Sequence, residues 1–312
     1  VSLEAITAGN AADFLAYCRR HRYAHDESYL SDHDLEAFDP AGPEDLGLLY
    51  RDAEGRIRGA AALMLRPELR SAGKARFRII HVEPELGPAL VERVYRAFVD
   101  GLAERARDLE WLYLFLPEAA AGPAALFREL GFTIERYAWL LERGLSSLPS
   151  HELPEGLVFR EAALRTVSGE PGPDAQAWCD LVNDAFEPIA GHVELLPRRL
   201  VADIDPNLDF KGSWLLLEEV ATARAVGLCA TIRDVEDEEG RTAFLGPVAI
   251  LRAFQGRGLG RAALRAGLGA AKRAGFERCC LSVNAENANA ARLYLEEGFE
   301  KKTVMVCWHR HP

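Results

Sequence analysis

The chain has 312 residues, long enough for two domains of ordinary size. Hydrophobic residues make up 49% and charged residues 27%, the profile of a folded globular protein, and no run of about 18 apolar residues exists to cross a bilayer. A net charge of −11, shared by both halves without a basic arm, argues against a nucleic-acid partner and suits a cationic amine as substrate.

The opening residues VSLEAITAGNAADF lack a basic start followed by an apolar core, so no signal peptide is expected. Cys18, Cys179, Cys229, Cys279, Cys280 and Cys307 show no CxxC spacing and read as reduced, mostly buried thiols. A cytoplasmic location follows as the expectation. With no HExxH and no Cys/His cluster, no metal is expected either.

In chain order, the pattern predicts a helix over 11–20, strands over 46–50, 57–65 and 75–82, and a helix over 88–107. That helix carries Leu90, Val94, Ala97, Phe98 and Leu102 on one face. Strands over 110–116 and 135–141 follow. The second half repeats the order. It has helices over 174–186 and 194–203, strands over 213–218, 225–232 and 242–250, a helix over 259–274, and strands over 278–283 and 302–308. The stretch Leu126-Phe127-Arg-Glu-Leu-Gly131-Phe132 echoes Leu293-Tyr294-Leu-Glu-Glu-Gly298-Phe299. The expected organisation is a unit over 1–145, a polar, proline-bearing linker over 146–156, and a second unit over 157–312. The fold class is α/β (α+β).

The chemistry is concentrated after strand 242–250, where Gln255-Gly256-Arg257-Gly258-Leu259-Gly260 opens directly into the helix beginning with Arg261. Closely spaced glycines let backbone amides converge on an anion, and the helix N-terminus adds partial positive charge. A pyrophosphate-bearing cofactor is the natural ligand. Gly258-x-Gly260-x-x-Ala263 also fits the dinucleotide fingerprint formally. That fingerprint needs a tight strand-to-helix turn and an acidic residue about 20 positions on; here LRAFQ intervenes and Glu286 comes late. Upstream, Gly246-Pro247 interrupts the strand and predicts a bulge that splays it from strand 278–284. A ligand arm could lie in that gap, bonded to the backbone of Val248, Ala249 and Ile250, and a nearby N–H could steady an oxyanion.

The Gln-x-x-Gly-x-Gly loop, together with Asn287-x-x-Ala290-x-x-Leu293-Tyr294-x-x-x-Gly298-Phe299, resembles the GNAT family of N-acetyltransferases, in its tandem-domain form. The resemblance implies acetyl-CoA as co-substrate, held by Gln255, Gly256, Arg257, Gly258, Leu259, Gly260 and Arg261. It implies direct transfer to a primary amine in a ternary complex, with contacts from Asn284 and Asn287. It also implies that Tyr294 protonates the departing thiolate. In the first half the corresponding positions read His81-Val-Glu-Pro-Glu-Leu-Gly87-Pro, Pro117, Ala120 and Phe127, which implies a degenerate copy. The general base stays open. Tandem members tend to carry a Glu where Phe244 stands here; Glu219, Asp234, His192 and Glu187 are the alternatives, and Glu236–Glu239 reads as a solvated hairpin tip. A monomer or homodimer acting on a small-molecule amine is expected. The competing readings are a non-catalytic acyl-CoA-binding sensor and a dinucleotide enzyme.

Overall fold

The structure, a computed structural model, describes residues 1–21, 45–150, 152–189, 192–235, 237 and 239–312. Glu236 and Glu238 of the hairpin tip, and His151 of the expected linker, lie outside the described residues. The chain divides into two compact units, Val1–Ala138 with Thr303–Pro312, and Trp139–Lys302.

The first unit contains β1 (Leu3–Ala5), α1 (Ala11–His21), β2 (Asp45–Arg51), β3 (Ile57–Met64), α2 (Pro67–Ser71) and β4 (Lys74–Val82). It continues with α3 (Pro88–Arg105), β5 (Trp111–Pro117), α4 (Ala121–Glu129) and the first half of β6 (Thr133–Gly144). Strands β1 to β4 pair antiparallel in sequence order, and β4 and β5 pair in parallel. Local sequence explains the elements. Leu112, Leu114 and Leu116 of β5 alternate with half-buried residues, so one face of the strand is fully covered. In α3, Pro88 sits at the first helical position, where its missing N–H costs nothing, and Val94, Phe98 and Leu102 line the buried stripe.

The second unit repeats this plan with β7 (Leu157–Glu161), α5 (Ala175–Phe186), α6 (Pro197–Asp203), β8 (Trp214–Glu219) and β9 (Arg224–Arg233). Then come β10 (Thr242–Ile250), α7 (Leu259–Arg273), β11 (Arg278–Asn284) and α8 (Ala288–Glu296). Strands β7 to β10 are antiparallel neighbours, and β10 and β11 are parallel. Each unit is thus a mixed, mostly antiparallel sheet flanked by helices, which is the tandem arrangement expected. A dinucleotide fold needs a mostly parallel sheet with two βαβαβ halves. The antiparallel run from β7 to β10 removes that alternative.

The boundaries differ from the sequential ones. The place beside β5 is filled by β12 (Glu300–Arg310), antiparallel from Met305↔Pro117 to Arg310↔Leu112. The place beside β11 is filled by β6, whose residues from Trp139 onward belong to the second unit. Residues 139–145 therefore leave the first unit and residues 303–312 return to it. Hydrophobic period identifies a strand but not the sheet it pairs with, so reading the repeats in chain order misses the exchange. The helix expected over 194–203 begins later, at Pro197, which presets its first turn.

Val306 and Trp308 of β12 join the first unit's core with Phe77, Phe98, Leu114, Phe127 and Phe132. Opposite that core, Phe14, Tyr17 and Cys18 of α1 cover the other sheet face over Leu49, Ala60 and Ile79. In the second unit, α7 and α8 pack on one face of the sheet and α5 and α6 on the other. Trp308 is 2% exposed, and the Arg128 guanidinium stands 5.0 Å from its ring centre. Replacing Trp308 by Ala should therefore destabilise the protein by about 3–5 kcal/mol. Urea unfolding followed by circular dichroism measures this; a loss below about 1 kcal/mol would place Trp308 outside the core.

Candidate active site

The site grows from one interrupted ladder. Strands β10 and β11 pair at Thr242↔Arg278, Ala243↔Cys279 and Phe244↔Cys280 and go no further. On its other edge β10 pairs with β9, and the register shifts between Leu245↔Thr231 and Val248↔Cys229. Two residues, Gly246 and Pro247, thus stand opposite Ala230 alone, which is a bulge. Glycine eases the close approach there, since a Cβ at Gly246 would come 3.1 Å from the Ala230 Cβ. Proline has no N–H to give to a ladder, and the bulge adds twist where β10 leaves β11.

Beyond the bulge the backbone directions alternate. Leu251 N–H donates to Val226 C=O at 3.0 Å, so residues 249 and 251 face β9. Val248 and Ile250 face the other way, into the gap. Ile250 C=O accepts a bond there from Gln255 Nε2 at 3.0 Å. Ala249 and Ile250 place their side chains in opposite cores, which fixes the strand.

The gap opens into a cavity of about 410 Å³. Val182, Phe186 and His192 line it from α5 and the following loop, Val248 from β10, and Asn287 and Tyr294 from α8. At the end of β10 the glycine loop follows. Gly256 (φ +76°) and Gly258 (φ +78°) are left-handed, a conformation other residues enter at a cost. A Cβ at either would meet nothing within 4 Å, so both face open space. Gly258 caps α7 without a side-chain bond, and the first intrahelical donor is Ala262 N–H, to Gly258 C=O at 3.1 Å. The amides of Leu259, Gly260 and Arg261 therefore precede the helical ladder and are available to an anion. Uncapped amides at a helix start beside left-handed glycines form the kind of concavity that receives anions.

The cationic side chains behave differently from one another. Arg257 lies over the Phe254 ring, 5.1 Å from its centre, and donates to Ala253 C=O at 3.2 Å, beside the cradle. Arg261 turns from the loop towards α8, pairing with Glu296 and, at 3.1 Å, with Glu297. Its charge is largely neutralised in this arrangement.

Asn287 caps α8, its Oδ1 accepting from Ala290 N–H at 3.2 Å. The Asn284 carbonyl accepts from Asn287 N–H at 3.0 Å, which closes the turn from β11 into α8. Tyr294 is 9% exposed and packs edge-on to Phe299, with ring centres 5.8 Å apart. Burial pushes its hydroxyl pKa well up, so the hydroxyl holds its proton at neutral pH. Phe127 and Phe132 form the same edge-on pair in the first unit at 5.2 Å, without a hydroxyl. At the first unit's counterpart of the cradle, a short turn over Pro84–Leu86 leads through Gly87 to Pro88. Glu83 beside it is bonded by Arg58 at 3.0 Å and His21 at 3.2 Å.

The four base candidates separate. His192 lines the cavity. Burial pushes its pKa below the ordinary histidine value, and the Glu187 and Glu194 carboxylates offset only part of that. Glu187 instead pairs with Arg252 at 3.1 Å. Asp234 follows β9 at the opposite end from the glycine loop, accepting from Cys280 Sγ at 3.3 Å. Glu219 ends β8 and accepts from Thr222 Oγ1 at 3.1 Å. Neither Asp234 nor Glu219 is among the cavity's described lining. Phe244 does line it. Sequence reasoning did not single out Val182, Phe186 and Ile189; the apolar stripe of α5 was visible, but not which wall it would form.

The acetyltransferase (GNAT) family model matches residues 175–299, the span holding the cradle, cavity and α8. The mycothiol acetyltransferase of Thermobispora bispora is 35% identical over 64% of this chain and 64% of its own length, so that match spans under two thirds of the relative. The mycothiol acetyltransferase of Actinosynnema mirum is 31% identical over 81% of this chain and 74% of its own length. Among solved structures, a tandem GNAT protein from the clavulanic acid biosynthesis pathway superposes with a TM-score of 0.71, covering 99% of this chain and 98% of that one at 17% identity. On these likenesses in sequence and fold, the chain belongs to the acetyltransferase (GNAT) family.

Proposed function

We propose that the second unit is the catalytic one and moves an acetyl group from acetyl-CoA directly to a primary amine of a small molecule, both substrates being bound together. The observation that carries this reading is the splayed end of β10, which joins an amide cradle to a cavity holding Tyr294 and His192. Acetyl-CoA supplies the acetyl group as a thioester. The cradle amides from Gly256 to Arg261, with Arg257, hold its pyrophosphate, and Val248 and Ile250 bond its extended arm as an added strand would.

His192, kept neutral by its surroundings, takes a proton from the ammonium, directly or through a water, and so frees the nitrogen lone pair. As the new N–C bond forms, Val248 N–H donates to the carbonyl oxygen where negative charge develops. When the C–S bond breaks, Tyr294 gives its proton to the sulfur. Glu219 and Asp234 are left without a part, because neither borders the cavity among its described lining.

The named relatives suggest the acceptor: the free cysteine amine of a cysteinyl-glucosaminyl-inositol, the precursor of mycothiol. Incubation with acetyl-CoA and that amine should give the acetylated product, detected by mass spectrometry. Tyr294→Phe should lower kcat by about 100-fold while the acetyl-CoA KM stays within about 2-fold. Unchanged turnover would remove Tyr294 from the mechanism.

The pH dependence tests the base. In the free enzyme kcat/KM should rise with pH through a group titrating below the ordinary histidine value of about 6.5, because the active form is the neutral ring. His192→Gln should remove that limb. An unchanged profile would assign the limb to another group.

A further inference from the structure

Glu297 stands at the C-terminal end of α8, the helix that carries Tyr294. Its side chain is 1% exposed, and a carboxylate at that end of a helix also faces the negative pole of the backbone dipole. Three arginines answer it. Arg265 grips it bidentately, Nε to Oε2 and Nη2 to Oε1, each at 2.8 Å. Arg261 adds a bond to Oε1 at 3.1 Å, and Arg143 donates to the Glu297 carbonyl. Burial pushes the carboxyl pKa up, but the Arg265 bonds and the neighbouring charges outweigh it and hold the group ionised.

The positions of these partners give the cluster a use. Arg261 and Arg265 are one turn apart on α7, and Arg261 belongs to the turn whose amides form the cradle. Tyr294 is three residues before Glu297, on the same face of α8. The two helices meet closely at this level: a Cβ at Gly260 would stand 3.9 Å from Leu293 Cδ2. A greasy contact here would leave α8 free to slide along α7. A bidentate arginine–carboxylate pair fixes both direction and register.

We propose that Glu297 is a positioning residue for acetyl transfer: through Arg261 and Arg265 it sets where the Tyr294 hydroxyl stands relative to the phosphate cradle. The proposal rests on the acid role given to Tyr294 above.

A double-mutant cycle with Tyr294→Phe tests it. Turnover is measured with acetyl-CoA and the cysteinyl-glucosaminyl-inositol amine and, in parallel, as amine-independent hydrolysis of acetyl-CoA, where the departing sulfur still needs a proton. Glu297→Gln should lower kcat by about 10-fold with the acetyl-CoA KM little changed. In the Tyr294→Phe background it should cost almost nothing more, because the aim of a missing hydroxyl no longer matters. Arg265→Met, which breaks the same pair from its more exposed side, should behave alike and serves if Glu297→Gln does not fold. Independent, multiplying losses would overturn the proposal and leave the acid role standing, as would a lower melting temperature with kcat intact. If Tyr294→Phe itself changes nothing in either reaction, the acid role fails and the proposal falls with it.

Discussion

Three residue pairs hold β10 and β11 together, and after Phe244 and Cys280 the strands part. Unpaired strand edges are normally closed by a neighbour or blunted, since their N–H and C=O groups need partners. Here the parting is built in by Gly246 and Pro247, a pair that shifts the register against β9 by one residue. The edge from Val248 to Ile250 is thereby left without a strand partner on the β11 side, where Gln255 Nε2 bonds the Ile250 carbonyl.

Two helix starts frame that opening. The first turn of α7 offers amides with no side-chain cap, next to left-handed glycines that leave space before them. The first turn of α8 is treated in the opposite way, with Asn287 bonding Ala290 N–H. One helix start thus keeps its amides uncapped, while the other is closed by the side chain that precedes the segment bearing Tyr294. The first unit keeps the fold without this division of labour. It retains the aromatic pair Phe127–Phe132, yet it begins α3 with Pro88, which has no N–H to offer. The packing that supports the site and the groups that perform chemistry in it are separable.

Much of this was legible in the sequence because it depends on local geometry. Gly256 and Gly258 are there for positive φ, Gly246-Pro247 for a bulge, and Asn287 for a cap, and each has a short-range signature. Partners distant in sequence were not legible. The pairing of Arg261 with Glu296 and Glu297 was not foreseen, because ion pairs between helices leave no periodic trace. The exchange of β6 and β12 was hidden for a related reason: alternation marks a strand but does not name its neighbour. His192 gained over Asp234 and Glu219 only when the cavity wall was known, since all three sit in comparable loop or strand-end positions in the sequence.

The central claim is that backbone amides at one glycine bend and one strand edge receive the thioester ligand. Amide hydrogen exchange measured with and without acetyl-CoA tests it without any knowledge of the acceptor. The account predicts slowed exchange concentrated at Gly256 to Arg261 and at Val248 and Ile250, with the corresponding residues 82–90 of the first unit unaffected. Protection confined to the first unit, or spread evenly with none at the bend, would contradict it.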